Sequence, residues 1–253
     1  MLFGKVRSAV RPEDDRVRVV REVRAAFERE PRINLHRHPV KMEWSDGVLT
    51  LQGEVEHIAA KKLSMELAIA VHGVRGIVDR LHIVPSARMG DGAILDAVRD
   101  ALLQEPTLMN CSIQLIRKGQ IETVRDVSTE PHGVIRVSVK EGVVLLDDHV
   151  LSLTQKRLAG VLAWWVPGSR DVINGMDVVT DQTDSDVELA KAVKLVLKKD
   201  PFINEERIRV GANRAIVTLD GAVPSMPQKE MAEFDAWYVF GVDKVVDRLE
   251  VRQ

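Results

Sequence analysis

A single cysteine, Cys111, in 253 residues cannot form an internal disulfide, and it cannot supply the thiolates of a structural zinc site. A reducing compartment follows as the expectation, and with it a cytoplasmic location. No stretch approaches the ~20 apolar residues that a bilayer-crossing helix requires. Near the start, Lys5 and Arg7 break the apolar run, so the core of a signal peptide is not expected there. Charge of one sign is also lacking: 36 Lys and Arg against 38 Asp and Glu leave a net −2, without the broad basic field that would draw nucleic acid. No Walker loop, dinucleotide fingerprint, G-x-S-x-G elbow or H-E-x-x-H pair occurs, so catalysis has no visible seat. No enzyme activity, cofactor or bound metal is expected.

What is present is a globular composition, 45% hydrophobic and 29% charged, sufficient for a real core and incompatible with wholesale disorder. The length fits two domains or three small ones. Three segments share one pattern: an apolar-striped helix, an acid and a proline, ending at Glu30-Pro31, Glu105-Pro106 and Asp200-Pro201. Counting back from each proline gives Val19, Val20, Val23 and Phe27, then Ile94, Leu95, Val98 and Leu102, then Leu189, Ala190, Val193 and Leu197. Spacings of three and four put these on one helical face, and the proline stops the helix. An aliphatic residue follows two positions later each time, at Ile33, Leu108 and Ile203.

A strand pair with alternating apolar residues comes next in every copy, around turns at Ser45-Asp46-Gly47, Lys140-Glu141-Gly142 and Asn213. A second helix then runs into a short last strand. Val71, Val166 and Val239 align there, as do Gly73, Gly168 and Gly241, and Ala68, Ala163 and Ala236. The glycines are expected to cap the helices in the left-handed region. The unit is helix, strand, strand, helix, strand, and the second copy carries an insertion near 107–131 that is expected to add a strand. The expected boundaries are a basic segment at 1–14 and repeats at 15–85, 88–181 and 183–253.

The tail V-x-G-V-x-x-V-x-[DN]-x-L, present from Val71 to Leu81 and from Val239 to Leu249, together with the strand-closing Gly53 and Gly221, resembles the BON domain, a small bacterial module. Copy two departs from it with Asp148 at the glycine position, Ser169 for the valine and Asn174-Gly175-Met176 for Asp-Arg-Leu. The resemblance implies an α+β fold of three tandem αββαβ domains, each with two helices on one face of a mixed three-stranded sheet. It also implies a non-enzymatic binding or scaffolding role in bacterial stress adaptation, toward a protein partner, a small ligand or an ion. Two alternatives stay open: a peripheral phospholipid-binding protein, and a cytoplasmic potassium sensor.

Individual residues carry weaker signals. His36 and His38 form a pair without a third ligand, so solvated histidines are the plainer reading. The acids from Asp181 to Glu188 lack the glycine and the distant glutamate of a calcium loop, whereas Ser185 and Glu188 make a capping box. Asp14 or Asp15, and Asp91, are assigned the same capping task in the other copies. Aromatic residues are scarce, which draws attention to Trp164-Trp165 and Trp237-Tyr238 at matching places near the ends of second helices. Adjacent helical positions point about 100° apart, so interdomain packing or self-association is expected of these four ahead of a ligand contact. Residues 1–85 hold 15 basic and 12 acidic residues, the only net basic third. Lys5, Arg7, Arg11 and Arg16 are the candidates for contact with anionic headgroups.

Overall fold

The computed structural model describes residues 12–180 and 184–252, with side chains from residue 15 onward. It divides into two compact units, one ending at Val84 and the other beginning at Pro85. The first unit runs α1 (Pro12–Arg29), β1 (Lys41–Ser45), β2 (Val48–Val55), α2 (Ile58–Ile69) and β3 (Gly76–Ile83). Its sheet order is β1-β2-β3, antiparallel between the first two and parallel between the last two. The stripe Val19, Val23 and Phe27 is buried with Leu49 and Leu51 of β2 and Ala59, Leu63 and Ala68 of α2. Small alanines let the helix approach the sheet closely.

The second unit holds two copies. The later one repeats the first unit's plan with α5 (Asp186–Lys199), β10 (Ile208–Asn213), β11 (Ile216–Val223), α6 (Met226–Tyr238) and β12 (Lys244–Val251), in sheet order β10-β11-β12. The middle copy comprises α3 (Asp91–Gln104), β4 (Cys111–Arg117), β5 (Gln120–Arg125), β6 (Gly133–Lys140), β7 (Val143–Val150), α4 (Leu153–Trp164), β8 (Asp171–Asn174) and β9 (Asp177–Val178). Its sheet is wider than the expected three strands, in the order β5-β4-β6-β7-β8 with β9 also on β7. The insertion supplies two strands where one was expected. Cys111, Ile113 and Leu115 bury one face of β4 beside Leu108. Arg125 brings β5 back by donating to the Leu108 and Cys111 carbonyls. The last strand breaks because Gly175 N–H turns to Leu146 O, separating β8 from β9.

Three local expectations are corrected. In the third copy the positive-φ turn residues are Arg214 and Ala215, at 50° and 61°, while Asn213 stays in β10 opposite Ile216. Asp186 holds this unfavourable turn, its carboxylate accepting both N–H groups at 2.9 and 3.2 Å. Asp91 does the same for the Glu141-Gly142 turn at 2.9 Å each, so it clamps a hairpin where a helix cap was expected. Asp15 lies inside α1 and pairs with Arg18. Finally, the helices end three or four residues before Gly73, Gly168 and Gly241, so these are turn residues and not caps. Gly73 and Gly241 have φ of 99° and 90°, but Gly168 does not share that conformation. Close packing explains it instead, because a Cβ there would lie 2.6 Å from Met89 Cβ.

Gly53 and Gly221 have φ of 148° and 141°, and a Cβ on either would strike a carbonyl of the neighbouring segment, Pro39 O at 2.8 Å or Arg207 O at 2.1 Å. Only glycine tolerates both constraints. Asp148, the counterpart in copy two, also sits at positive φ, 81°, and pairs with Arg136 at 2.8 Å.

Candidate functional site

Each copy carries, just after its second helix, a turn whose carbonyl needs a donor. In the first unit Arg18 of α1 reaches His72 O at 3.3 Å while bridging to Asp15 and Glu22. In the middle copy Pro167 O takes Ala87 N–H at 3.0 Å and Ser86 Oγ–H at 3.2 Å. In the third copy the donor comes from the neighbouring copy: Arg157 of α4 donates through Nε to Phe240 O at 3.0 Å, and through Nη2 to both carboxylate oxygens of Asp184 at 2.7 and 2.8 Å. Glu188 occupies the place that corresponds to Arg18, so the third copy lacks an arginine of its own there. The Arg157 side chain is only 2% exposed, whereas Asp184 is half exposed.

A second lysine-centred feature explains why α4 is free to reach across. Lys61 donates to Leu81 O and pairs with Asp79 at 2.9 Å, and Lys229 donates to Leu249 O and lies 3.6 Å from Asp247. Each aspartate also accepts the N–H two residues on, Leu81 and Leu249, which gives the D-x-L tail its physical meaning. Burial pushes the Asp247 carboxyl up despite those donors. In the middle copy Asn174 replaces the aspartate and has no charge to hold the lysine. Lys156 instead sits over the Phe240 ring, 4.5 Å from its centroid.

The aromatic candidates surround this contact. Trp164 stacks on Tyr238 with centroids 5.4 Å apart and planes at 23°. Trp165 Nε1–H donates to Asp235 Oδ1 at 2.8 Å. These three lie together between the second and third copies, while Trp237 is fully buried and donates to Glu233 of its own helix. Among the membrane candidates, Arg16 is exposed on α1, and Lys5, Arg7 and Arg11 lie outside the described residues, as do Asp181, Gln182 and Thr183.

The residue that sequence reasoning missed is Asp235, which stands where the other copies have Leu67 and Leu162. It is 3% exposed. Burial raises its pKa to about 8 against the opposing Trp165 bond, and the neighbouring Asp200 carboxylate adds to the rise. No donor reaches its Oδ2, and in the protonated form that oxygen donates to Asp200. The same burial, with the Asp235 charge, pushes the Tyr238 hydroxyl up to about 12. At the far end, Lys199 bridges to Glu105 at 2.9 Å. Burial opposes ionisation of Glu105, yet Lys199 and the Thr107 N–H keep its carboxyl below the ordinary range. A break in the apolar register of α6 was the available signal for Asp235. Among the described residues no three His, Cys, Asp or Glu side chains converge to hold a metal ion, and no helix is long and apolar enough to cross a membrane.

The BON domain family model matches residues 15–85, 120–180 and 185–253. The chain belongs to the BON domain family. The match to the middle BON copy starts at Gln120, past α3 and β4, because the inserted hairpin separates that helix from the β6-β7 pair. Among solved structures this BON protein is similar to the C-terminal domain of CdsD, the structural protein of the type III secretion system of Chlamydia trachomatis, at 13% identity and a TM-score of 0.24, covering 94% of this chain and 100% of that one. A second CdsD structure gives 13% and 0.23, over 93% and 94% of the two chains. The PrgH periplasmic domain gives 10% and 0.22, over 86% and 96%. No curated protein matches the chain.

Proposed function

We propose that this BON protein is a non-enzymatic scaffold that holds a protein partner on the surfaces of its repeats, in bacterial stress adaptation and in the cytoplasm. The observation that carries the reading is the way the second copy meets the third. Arg157, Lys156, Trp164 and Trp165 of one BON domain grip the post-helix turn and the α6 face of another. One BON domain thus already grips another through a buried arginine, stacked aromatic rings and a turn carbonyl, which supports protein binding as the use of this fold. The BON family is in general non-catalytic, which supports a binding role over a chemical one. The buried Cys111 thiol, held protonated by its apolar surroundings, fits a reducing compartment, and stress adaptation rests on the family resemblance.

The test uses the full chain. Proteins that co-purify with it from native cells are made separately and titrated against it by calorimetry, alongside anionic phospholipid vesicles and potassium chloride. Saturable binding by a purified protein, lost when exposed residues of the BON surfaces are exchanged, is the expected result. Binding confined to the vesicles, or stabilisation by potassium but not sodium with no protein ligand, would replace the reading.

A further inference from the structure

The middle BON copy covers a sheet edge that the first copy leaves open. In both, the hairpin turns on two positive-φ residues, Asp46-Gly47 and Glu141-Gly142, so the flanking pairs Ser45–Val48 and Lys140–Val143 exchange hydrogen bonds, as does every second pair behind them. The residues in between, Met42 and Trp44 in β1 and Ile135 and Val137 in β6, turn their N–H and C=O groups away from the hairpin partner. In the middle copy that side is taken: β4 lies parallel on β6, pairing Ile113 with Ile135 and Leu115 with Val137. The Gly133 N–H, of the same phase, donates to Asn110 O at 3.0 Å. In the first unit β1 is the last strand of its sheet, and the outward main-chain groups of Met42 and Trp44 meet no donor or acceptor among the described residues.

The third copy guards the same edge with its first helix. Lys194 of α5 donates to Ile208 O at 2.7 Å and to Glu205 O, and the Ile208 N–H turns back to Glu205 O. Counting from the helix-ending prolines, the first copy has Arg24 at the Lys194 position, exposed and without such bonds among the described residues. The helix beside the edge also differs in charge. Arg117, at the end of β4, is anchored on α3 by Asp96 at 2.7 Å, and the first copy has Arg21 at the Asp96 position. Arg21 is exposed and forms no ion pair among the described residues. Val20, half-buried, stands where Leu95 is 4% exposed in the core that β4 completes. The first copy therefore presents free main-chain groups beside an incompletely covered apolar side chain, with positive charge where the middle copy has negative. An added strand that fits carries a carboxylate where β4 carries Arg117.

We propose that the β1 edge of the first BON copy takes an extended segment of a partner protein as a fourth strand, parallel to β1 as β4 is to β6, with apolar residues at alternate positions and a carboxylate that meets Arg21. Main-chain bonds to Met42 and Trp44 hold the segment, and the charge of α1 selects an acidic one. The proposal rests on the protein-binding reading above and locates one binding place within it.

The probe is the blocked peptide acetyl-Val-Ser-Ile-Gln-Leu-Ile-Asp-methylamide, the order of β4 with valine in place of its cysteine and aspartate in place of its arginine. It is titrated into isotopically labelled full-length protein and followed by NMR shifts and amide hydrogen exchange. Saturable shifts along β1 are expected below ~1 mM peptide, with slowed exchange at the Met42 and Trp44 N–H groups and no change at Glu43, which is already bonded to β2. A spin label on the peptide's N-terminus should broaden His38 more than Ser45, as the parallel direction requires. The same peptide ending in arginine should bind about fivefold more weakly. Arg21→Asp, an exchange at an exposed position that should leave the melting temperature unchanged, should reverse that order. Unaltered exchange at Met42 and Trp44 up to ~1 mM peptide, broadening strongest at Ser45, or the same order of the two peptides in wild type and Arg21→Asp overturns the proposal. Protection of Met42 and Trp44 that grows with protein concentration and needs no peptide overturns it too, since a second copy of the chain then occupies the edge. A protein partner from cells that binds Arg21→Asp as tightly as wild type and leaves both amides exchanging overturns this site alone and leaves the protein-binding reading standing.

Discussion

Replacing Asp235 with asparagine tests the electrostatics of the contact between the second and third BON copies. The carboxyl titrates near 3.8 in an unfolded chain and at about 8 in the fold. Between those values the folded protein holds one proton more than the unfolded one, so its stability falls as pH rises. The contribution of the neutral acid is complete below pH ~4, declines through the window and is gone above pH ~8. A displacement of about four pH units at ~1.4 kcal/mol each sets an upper bound of about 6 kcal/mol, which water entry and relaxation reduce. Asparagine keeps an oxygen to accept from Trp165 and never ionises. Urea unfolding at pH 5 to 9, followed by tryptophan emission, suits the purpose because Trp164, Trp165 and Trp237 all lie in the second unit. The stability of Asp235→Asn relative to wild type should rise by at least ~2 kcal/mol from pH 5 to pH 8, with contributions from other carboxyls cancelling in the difference. A difference that does not change with pH would refute the assignment of a protonated Asp235.

Other expectations follow from the same contacts. Arg157→Met removes the donors to Phe240 O and Asp184 and should cost about 1–3 kcal/mol, with faster hydrogen exchange at the 239–242 turn as the local readout. Asn174→Asp restores the charge that holds the equivalent lysines in the other copies. The Lys156–Phe240 coupling, about 0.5–1 kcal/mol in a double-mutant cycle, should then vanish as Lys156 turns to the new carboxylate. Gly221→Ala combines φ of 141° with a Cβ 2.1 Å from Arg207 O and should cost more than ~3 kcal/mol or prevent folding. Asp148→Gly exchanges an ion pair with Arg136 for a relaxed backbone and should stay within ~1 kcal/mol of wild type by chemical denaturation.

Much of this fold is legible along the chain because its causes are local. The stripes that end at the three prolines bury Val23 and Phe27, Val98 and Leu102, and Val193 and Leu197, as helical spacing requires. Ser185 caps α5 through the Glu188 N–H, as the capping box predicts. Gly53 and Gly221 mark positive-φ positions that resist any side chain. Position along the sequence was less informative wherever a distant group decides the conformation. Arg214 and Ala215 enter the left-handed region because Asp186 holds them there, and Gly168 is small because Met89 and Ile94 press on it.

The repeated pattern of apolar spacing, prolines and turn glycines was enough by itself to specify three copies of one α+β unit, since each of those signals acts over a few residues. Tertiary structure alone decided what the copies do to one another. Whether Arg157 reaches Phe240 O, whether Lys156 finds an aromatic ring once Asn174 offers no charge, and whether Asp235 keeps its proton all depend on groups 27 to 84 residues apart in the chain or on the exclusion of water around them. Such effects have no period and no motif, because they arise from which surfaces meet after folding.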